Sequence, residues 1–207
     1  MLQYITNTQC SRTIPEQVKA VLEGGCRWVQ LRMKDASQEE LLEMAKTVKE
    51  LTDKYEAFLI INDSPDVCRD ANATGVHLGK NDMPPSKARV ELGPLAVIGV
   101  TANTFEDIEA VKSLDIDYIG IGPFTDTTTK QNLAPILGIS GIAALCDRMK
   151  GAEINIPTVA VGGITLDDVK PLLEAGINGV AVSGAIAFAD DMTEATRKFC
   201  EVLPTGD

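Results

Sequence analysis

Apolar residues in this chain come in short uninterrupted runs, and between the runs they recur at a spacing of three and four. The runs at residues 2–6, 28–31, 58–61, 75–78, 96–100, 118–121, 158–161 and 180–182 are strand-length and rich in Val, Ile and Leu. Continuous apolar strands of this kind are buried on both faces, as in a parallel sheet. Helix signals fill the intervals. Thr13 and Glu16 have capping-box spacing, Pro15 falls in the first turn, and Gly24-Gly25 ends the helix. Ser37 and Glu40 repeat the box ahead of Leu41, Leu42, Ala45 and Val48. Ser64 with Pro65 opens a short helix, and Thr104 caps one expected to run to Leu114. Further helices are expected over residues 140–149, 165–175, where Gly176 is the stop, and 192–202.

Eight strands, each followed by a helix or a helix-length segment, predict an α/β fold of the (β/α)8 TIM-barrel type, as one domain over residues 1–207. An open doubly wound sheet is the competing arrangement, but no G-x-G-x-x-G follows the first strand. No linker or charge block divides the chain.

Composition narrows the function without choosing it. The net charge of −11 argues against a nucleic-acid or anionic-membrane binder, and no apolar run reaches the length of a membrane span. The five cysteines, at 10, 26, 68, 146 and 200, are odd in number and without paired spacing. That pattern fits reduced thiols in the cytoplasm better than disulfides or zinc. No basic region followed by an apolar run marks a signal peptide.

A barrel gives a sorting rule: residues just past the strand ends are candidates for chemistry. Residues 58–82 form a strand–helix–strand unit, whose two strands are parallel. Asp63 and Asp82, past the ends of those strands, are therefore expected close together on one rim. Two carboxylates among oxygen-rich neighbours suit a hard cation such as Mg²⁺. The plainer reading has Asp63 capping the next helix and Asp82 starting a turn. Arg32 and Lys34 follow the second strand and Lys130 the sixth, so cations share the rim with the carboxylates and a diphosphate would fit between them. Gly162-Gly163 and Ser183-Gly184 follow the seventh and eighth strands, where such barrels commonly hold a phosphate against backbone N–H groups.

Seven segments carry a resemblance: QLRMKD (30–35), IIND (60–63), GVHLGKND (75–82), GVTANT (99–104), YIGIGPFTDTTTK (118–130), VAVGGIT (159–165) and GVAVSGAI (179–186). In order and spacing they resemble the successive motifs of the thiamine-phosphate synthase family, over nearly the whole chain. The resemblance implies a transferase of thiamine biosynthesis. It would join 4-amino-2-methyl-5-hydroxymethylpyrimidine diphosphate to a thiazole phosphate, carboxylated or not, and release diphosphate. It further implies that Gln30, Arg32, Lys34, Asn62 and Lys130 hold the pyrimidine diphosphate and that Asp63 and Asp82 bind Mg²⁺. Thr127 and Thr129 would meet the thiazole substrate, and Gly163 its phosphate. Arg32, Lys34 and Lys130 are then the groups that stabilise the leaving diphosphate.

Three positions depart from the family pattern. Thr101 stands where Ser is usual and keeps the hydroxyl expected to bind substrate. Lys80 replaces Gln and adds a charge near the metal site. Gly184 occupies a Ser position, so the thiazole phosphate is expected to rest on backbone around Gly162, Gly163, Ser183 and Gly184. The single histidine, His77, reads as a polar packing residue near the mouth. Expected partners are the two small substrates, with no nucleic acid and no membrane, and a homodimer is left open. The competing functions are a thiazole tautomerase-like barrel and a non-catalytic thiazole-phosphate-binding protein.

Overall fold

The computed structural model describes residues 1–126 and 135–203. Its strands are β1 (Leu2–Ile5), β2 (Trp28–Leu31), β3 (Phe58–Asn62), β4 (Gly75–Leu78), β5 (Val97–Ala102), β6 (Tyr118–Ile121), β7 (Thr158–Val161) and β8 (Gly179–Val182). They pair in sequence order, all parallel, and β1 closes the barrel on β8 through Leu2–Val180, Gln3–Ala181 and Tyr4–Val182. The open-sheet alternative is thereby excluded.

The helices are α1 (Ile14–Glu23), α2 (Gln38–Lys54), α3 (Pro65–Asp70), α4 (Pro85–Leu92), α5 (Phe105–Val111), α6 (Gly138–Gly151), α7 (Val169–Glu174), α8 (Gly184–Ala187) and α9 (Met192–Val202). Both expected capping boxes are formed, Thr13 with Glu16 on α1 and Ser37 with Glu40 on α2. Such caps satisfy the first orphan N–H groups of a helix, each worth about 1 kcal/mol.

The strand register sorts side chains by period two. Val29 and Leu31, Val76 and Leu78, and Ile119 and Ile121 face outward, into a large core between the sheet and the helices. Full burial of each such side chain contributes about 1.5–3 kcal/mol. Tyr118, Val159 and Ala181 form a second, smaller cluster with Ile5, Trp28, Val97 and Val161. Gln3 and Gln30, buried polar residues inside apolar strands, belong to the interior of the barrel. The strands are thus buried on both faces, as the uninterrupted runs require, but the inner layer is partly polar.

Several expected boundaries move. Strand β5 begins and ends later than expected, so Thr101 lies within it, paired with Gly120, and not beyond it. Helix α5 stops at Val111, three residues short of Leu114. The helix expected over 165–175 is split into a 3-10 turn, Leu166–Asp168, and α7. The split places Pro171 in the first turn of α7, where its missing N–H costs nothing. Helix α4 has no side-chain cap, begins among prolines and buries only Ala88. It therefore shows no amphipathic period.

Candidate active site

All parts of the site described next line one cavity of about 1080 Å³ at the carboxyl ends of the strands. Asp63 directly follows β3. Its backbone N–H donates to His77 O on β4 at 2.8 Å, and its φ of 65° is left-handed. A non-glycine residue held in that region is uncommon and clusters at functional positions. Asp82 lies at the end of a turn closed by Asp82 N–H to Gly79 O at 3.2 Å. The Asp82 carboxylate also accepts the Gly79 N–H at 2.6 Å, so the plainer turn-forming role is real. The helix cap, however, belongs to Ser64 and not to Asp63.

Burial first, and then hydrogen bonding and repulsion from the Asp82 carboxylate, push the Asp63 carboxyl up to about 6, while Lys34 and Arg32 pull the other way. A carboxylate with a raised affinity for a proton, facing a second carboxylate, can hold a divalent cation in the proton's place. Among the described residues no cluster of three or more ligand-type side chains occurs. Two carboxylates are nevertheless what Mg²⁺ needs when substrate phosphates and waters complete its shell.

Arg32 directly follows β2. Its backbone N–H donates to Thr6 Oγ1 at 2.9 Å and its carbonyl accepts from the same hydroxyl at 3.2 Å. This two-way clamp from the end of β1 fixes where the side chain leaves the sheet. Burial lowers the guanidinium's pKa, with Asp63 and Asp35 opposing, and the group stays charged. Lys34 is more exposed. Both cations reach the field of Asp63, so Arg32, Lys34, Asn62, Asp63 and Asp82 line one wall of the cavity.

The floor is polar. Gln30 Nε2 donates to Gln3 Oε1 at 3.1 Å, and Gln3 Nε2 donates to Tyr118 Oη at 3.2 Å. His77 bonds Tyr118 Oη through Nδ1 at 3.0 Å and Thr101 Oγ1 through Nε2 at 2.9 Å. Gln3 and Tyr118 were not singled out by sequence reasoning. The available signal was a polar residue at the inward position of an otherwise apolar strand, shared by Gln3, Gln30 and His77.

Opposite the acidic wall, Gly162 and Gly163 follow β7 with φ of 109° and 63°. The Gly163 backbone lies so close to the preceding loop that a Cβ would sit 2.5 Å from Asp126 O. Glycine is required there by the fold before any ligand is considered. Ser183 and Gly184 follow β8, and Ser183 Oγ accepts from Asn7 Nδ2 at 3.2 Å. Thr127, Thr129 and Lys130 lie outside the described residues.

Residues 2–186 match the family model described as thiamine monophosphate synthase. A thiamine-phosphate synthase of Bacteroides fragilis is 45% identical over 201 residues, covering 97% of this chain and 98% of that protein. One of Bacteroides thetaiotaomicron is 47% identical over 197 residues, covering 95% and 94%. Among solved structures, a thiamine phosphate pyrophosphorylase of Pyrococcus furiosus superposes with a TM-score of 0.85 at 31% identity, over 97% of this chain and 94% of that one. The chain belongs to the thiamine monophosphate synthase family.

Its departures from the pattern of thiamine monophosphate synthases now have positions. Lys80 forms an ion pair with Asp107 of α5 at 2.6 Å, so its charge is partly neutralised on the rim. Thr101 keeps the serine-like hydroxyl and bonds His77. At Gly184 a Cβ would lie 3.5 Å from Phe188 Cδ2, an ordinary van der Waals contact, so a serine fits there without rearrangement.

Proposed function

We propose that this chain is a thiamine-phosphate synthase. It joins the aminopyrimidine diphosphate to the thiazole phosphate and releases diphosphate. The observation that carries the reading is one cavity lined by a carboxylate pair, Arg32 and Lys34 on one side and Gly162, Gly163, Ser183 and Gly184 on the other, in a chain matched to the family almost end to end.

Arg32, Lys34 and Lys130 hold the diphosphate of the pyrimidine substrate. Asp63 and Asp82 would hold Mg²⁺, which would supply positive charge to offset that of the diphosphate. The bond between the pyrimidine's exocyclic methylene carbon and the diphosphate oxygen breaks, and its electron pair leaves with the diphosphate. Arg32, Lys34 and Lys130 stabilise the charge that develops there. The thiazole nitrogen then donates its pair to the same carbon and forms the new C–N bond. No side chain is needed as a nucleophile. Gly162, Gly163, Ser183 and Gly184 hold the thiazole phosphate, and Thr127 and Thr129 the ring, so that nitrogen and carbon face each other.

One domain carries all of these parts. No helix among the described residues is long and apolar enough to cross a membrane. Five free thiols suit the reducing cytoplasm, and a net charge of −11 disfavours nucleic acid as a partner.

The deciding assay is release of diphosphate from the two substrates together, with and without Mg²⁺. Release that needs all three supports the reading. A tautomerase-like barrel or a simple thiazole-phosphate binder releases none.

Two variants test the contacts to the two substrates. Lys130→Ala is expected to lower kcat about 10²-fold with a smaller rise in KM, because the charge it meets develops mainly in the transition state. A pure KM effect would make it a ground-state contact. Gly184→Ser should lower KM for the thiazole phosphate roughly two- to tenfold, the worth of one added hydrogen bond at about 0.5–1.5 kcal/mol. An unchanged KM would mean that the phosphate does not approach residue 184.

A further inference from the structure

The hydrogen bonds across the barrel floor run from Gln30 through Gln3, Tyr118 and His77 to Thr101. We propose that His77, Tyr118 and Gln3 are positioning residues, forming a one-way chain that fixes Gln30 as an acceptor and Thr101 as a donor toward the pyrimidine diphosphate. The proposal rests on the synthase reading for its ligand, but not for its direction.

The direction follows from counting donors. Gln30 gives an N–H to Gln3 Oε1, and Gln3 gives one to Tyr118 Oη. Burial keeps the phenol un-ionised, against the opposing pull of the Gln3 and Gln30 side chains. The Gln3 amide nitrogen can only donate to Oη, so the acceptor for the phenol's own proton is His77 Nδ1, 3.0 Å away. The imidazole is then neutral with its proton on Nε2, and it donates to Thr101 Oγ1 at 2.9 Å. Thr101 already accepts that bond, so its own proton is available to the cavity. At the other end the Gln30 amide nitrogen is committed inward, and its Oε1 accepts no hydrogen bond among the described residues.

A diphosphate offers only acceptors, so Gln30 Oε1 can meet only the exocyclic amino group of the pyrimidine. Thr101 meets an acceptor, either a diphosphate oxygen or a ring nitrogen. The rings are held rigidly for this purpose. Tyr118 packs edge-on against Trp28 with centroids 4.8 Å apart. A Cβ at Gly99 would overlap the Tyr118 ring, and one at Gly120 would lie 3.1 Å from His77 Cε1.

The chain contains one histidine, so long-range ¹H–¹⁵N spectra of the whole protein report its tautomer without ambiguity. A neutral imidazole protonated on Nε2, in protein free of substrate near pH 7.5, is the expected result. A proton on Nδ1 would overturn the proposal whether or not the protein releases diphosphate. Tyr118→Phe keeps the ring but breaks the chain. In that variant KM for the pyrimidine diphosphate should rise about tenfold while KM for the thiazole phosphate holds. The preference in kcat/KM for the 4-amino substrate over its 4-oxo analogue should fall by a similar factor, since Gln30 can then turn its amide. An active variant with an unchanged preference would refute the positioning role. Should the variant not fold, the wild-type tautomer still decides the direction. A wild-type protein that releases no diphosphate would count against the synthase reading alone.

Discussion

Asp63→Asn and Asp82→Asn should each lower kcat/KM about 10²- to 10³-fold at limiting Mg²⁺, the scale of losing one electrostatic stabiliser of a leaving anion. The fold should survive both changes. Asp63 is held at a carboxyl pKa of about 6 by burial and by the facing Asp82, so its ionised form is disfavoured by the native structure. A neutral amide at 63 removes that repulsion, and the thermal midpoint should stay level or rise at neutral pH. The sign for metal binding is the reverse. The carboxylate must lose its proton before it can ligate, so in the wild type the apparent Mg²⁺ affinity should be level above pH 6 and weaken as pH falls through about 6. Activity titrations against Mg²⁺ at several pH values, with calorimetric scans of the variants, check both statements. Wild-type rates in either variant at limiting Mg²⁺ would remove the metal assignment.

Gly75→Ala should be the most damaging small substitution outside the site. Gly75 opens β4 at the amino end of the barrel, where a Cβ would overlap the Val97 carbonyl oxygen of β5. The obstacle is backbone, not the end of a flexible side chain, and the neighbouring bond from Val97 N–H to Thr74 O holds the two strands at this spacing. Relief requires parting two strands of a closed sheet. A loss of about 3 kcal/mol or more is expected, at the upper end of overpacking costs. Chemical denaturation followed by far-UV circular dichroism measures it. A loss under about 1 kcal/mol would show that the barrel bottom can spread.

Local chemistry made much of this protein legible in its sequence. Thr13 with Glu16 and Ser37 with Glu40 announced two helices because a capping box is built from residues three apart. The runs at 28–31, 75–78, 118–121 and 158–161 matched their strands to the residue, because burial on both faces keeps each run largely apolar between its flanking turns. Asp63 and Asp82 could be placed on one rim because a strand–helix–strand unit has only one sensible direction. Where local signals were weak the reading failed. Helix α4 has no cap and one buried residue, and α8 is four residues long.

What no local signal could carry was decided by closure of the barrel. Gln3 on β1, Gln30 on β2, His77 on β4 and Tyr118 on β6 are far apart in the chain, and they meet only because eight strands curl their inner faces together. The raised affinity of Asp63 for a proton likewise depends on burial and on a carboxylate nineteen positions away. The sequence by itself determined most of the residues that stand at the strand ends, Thr101 excepted, since that follows from period and caps. Only the tertiary structure decided which of them touch and in what direction their hydrogen bonds run, since those are properties of distances across the barrel and not along the chain.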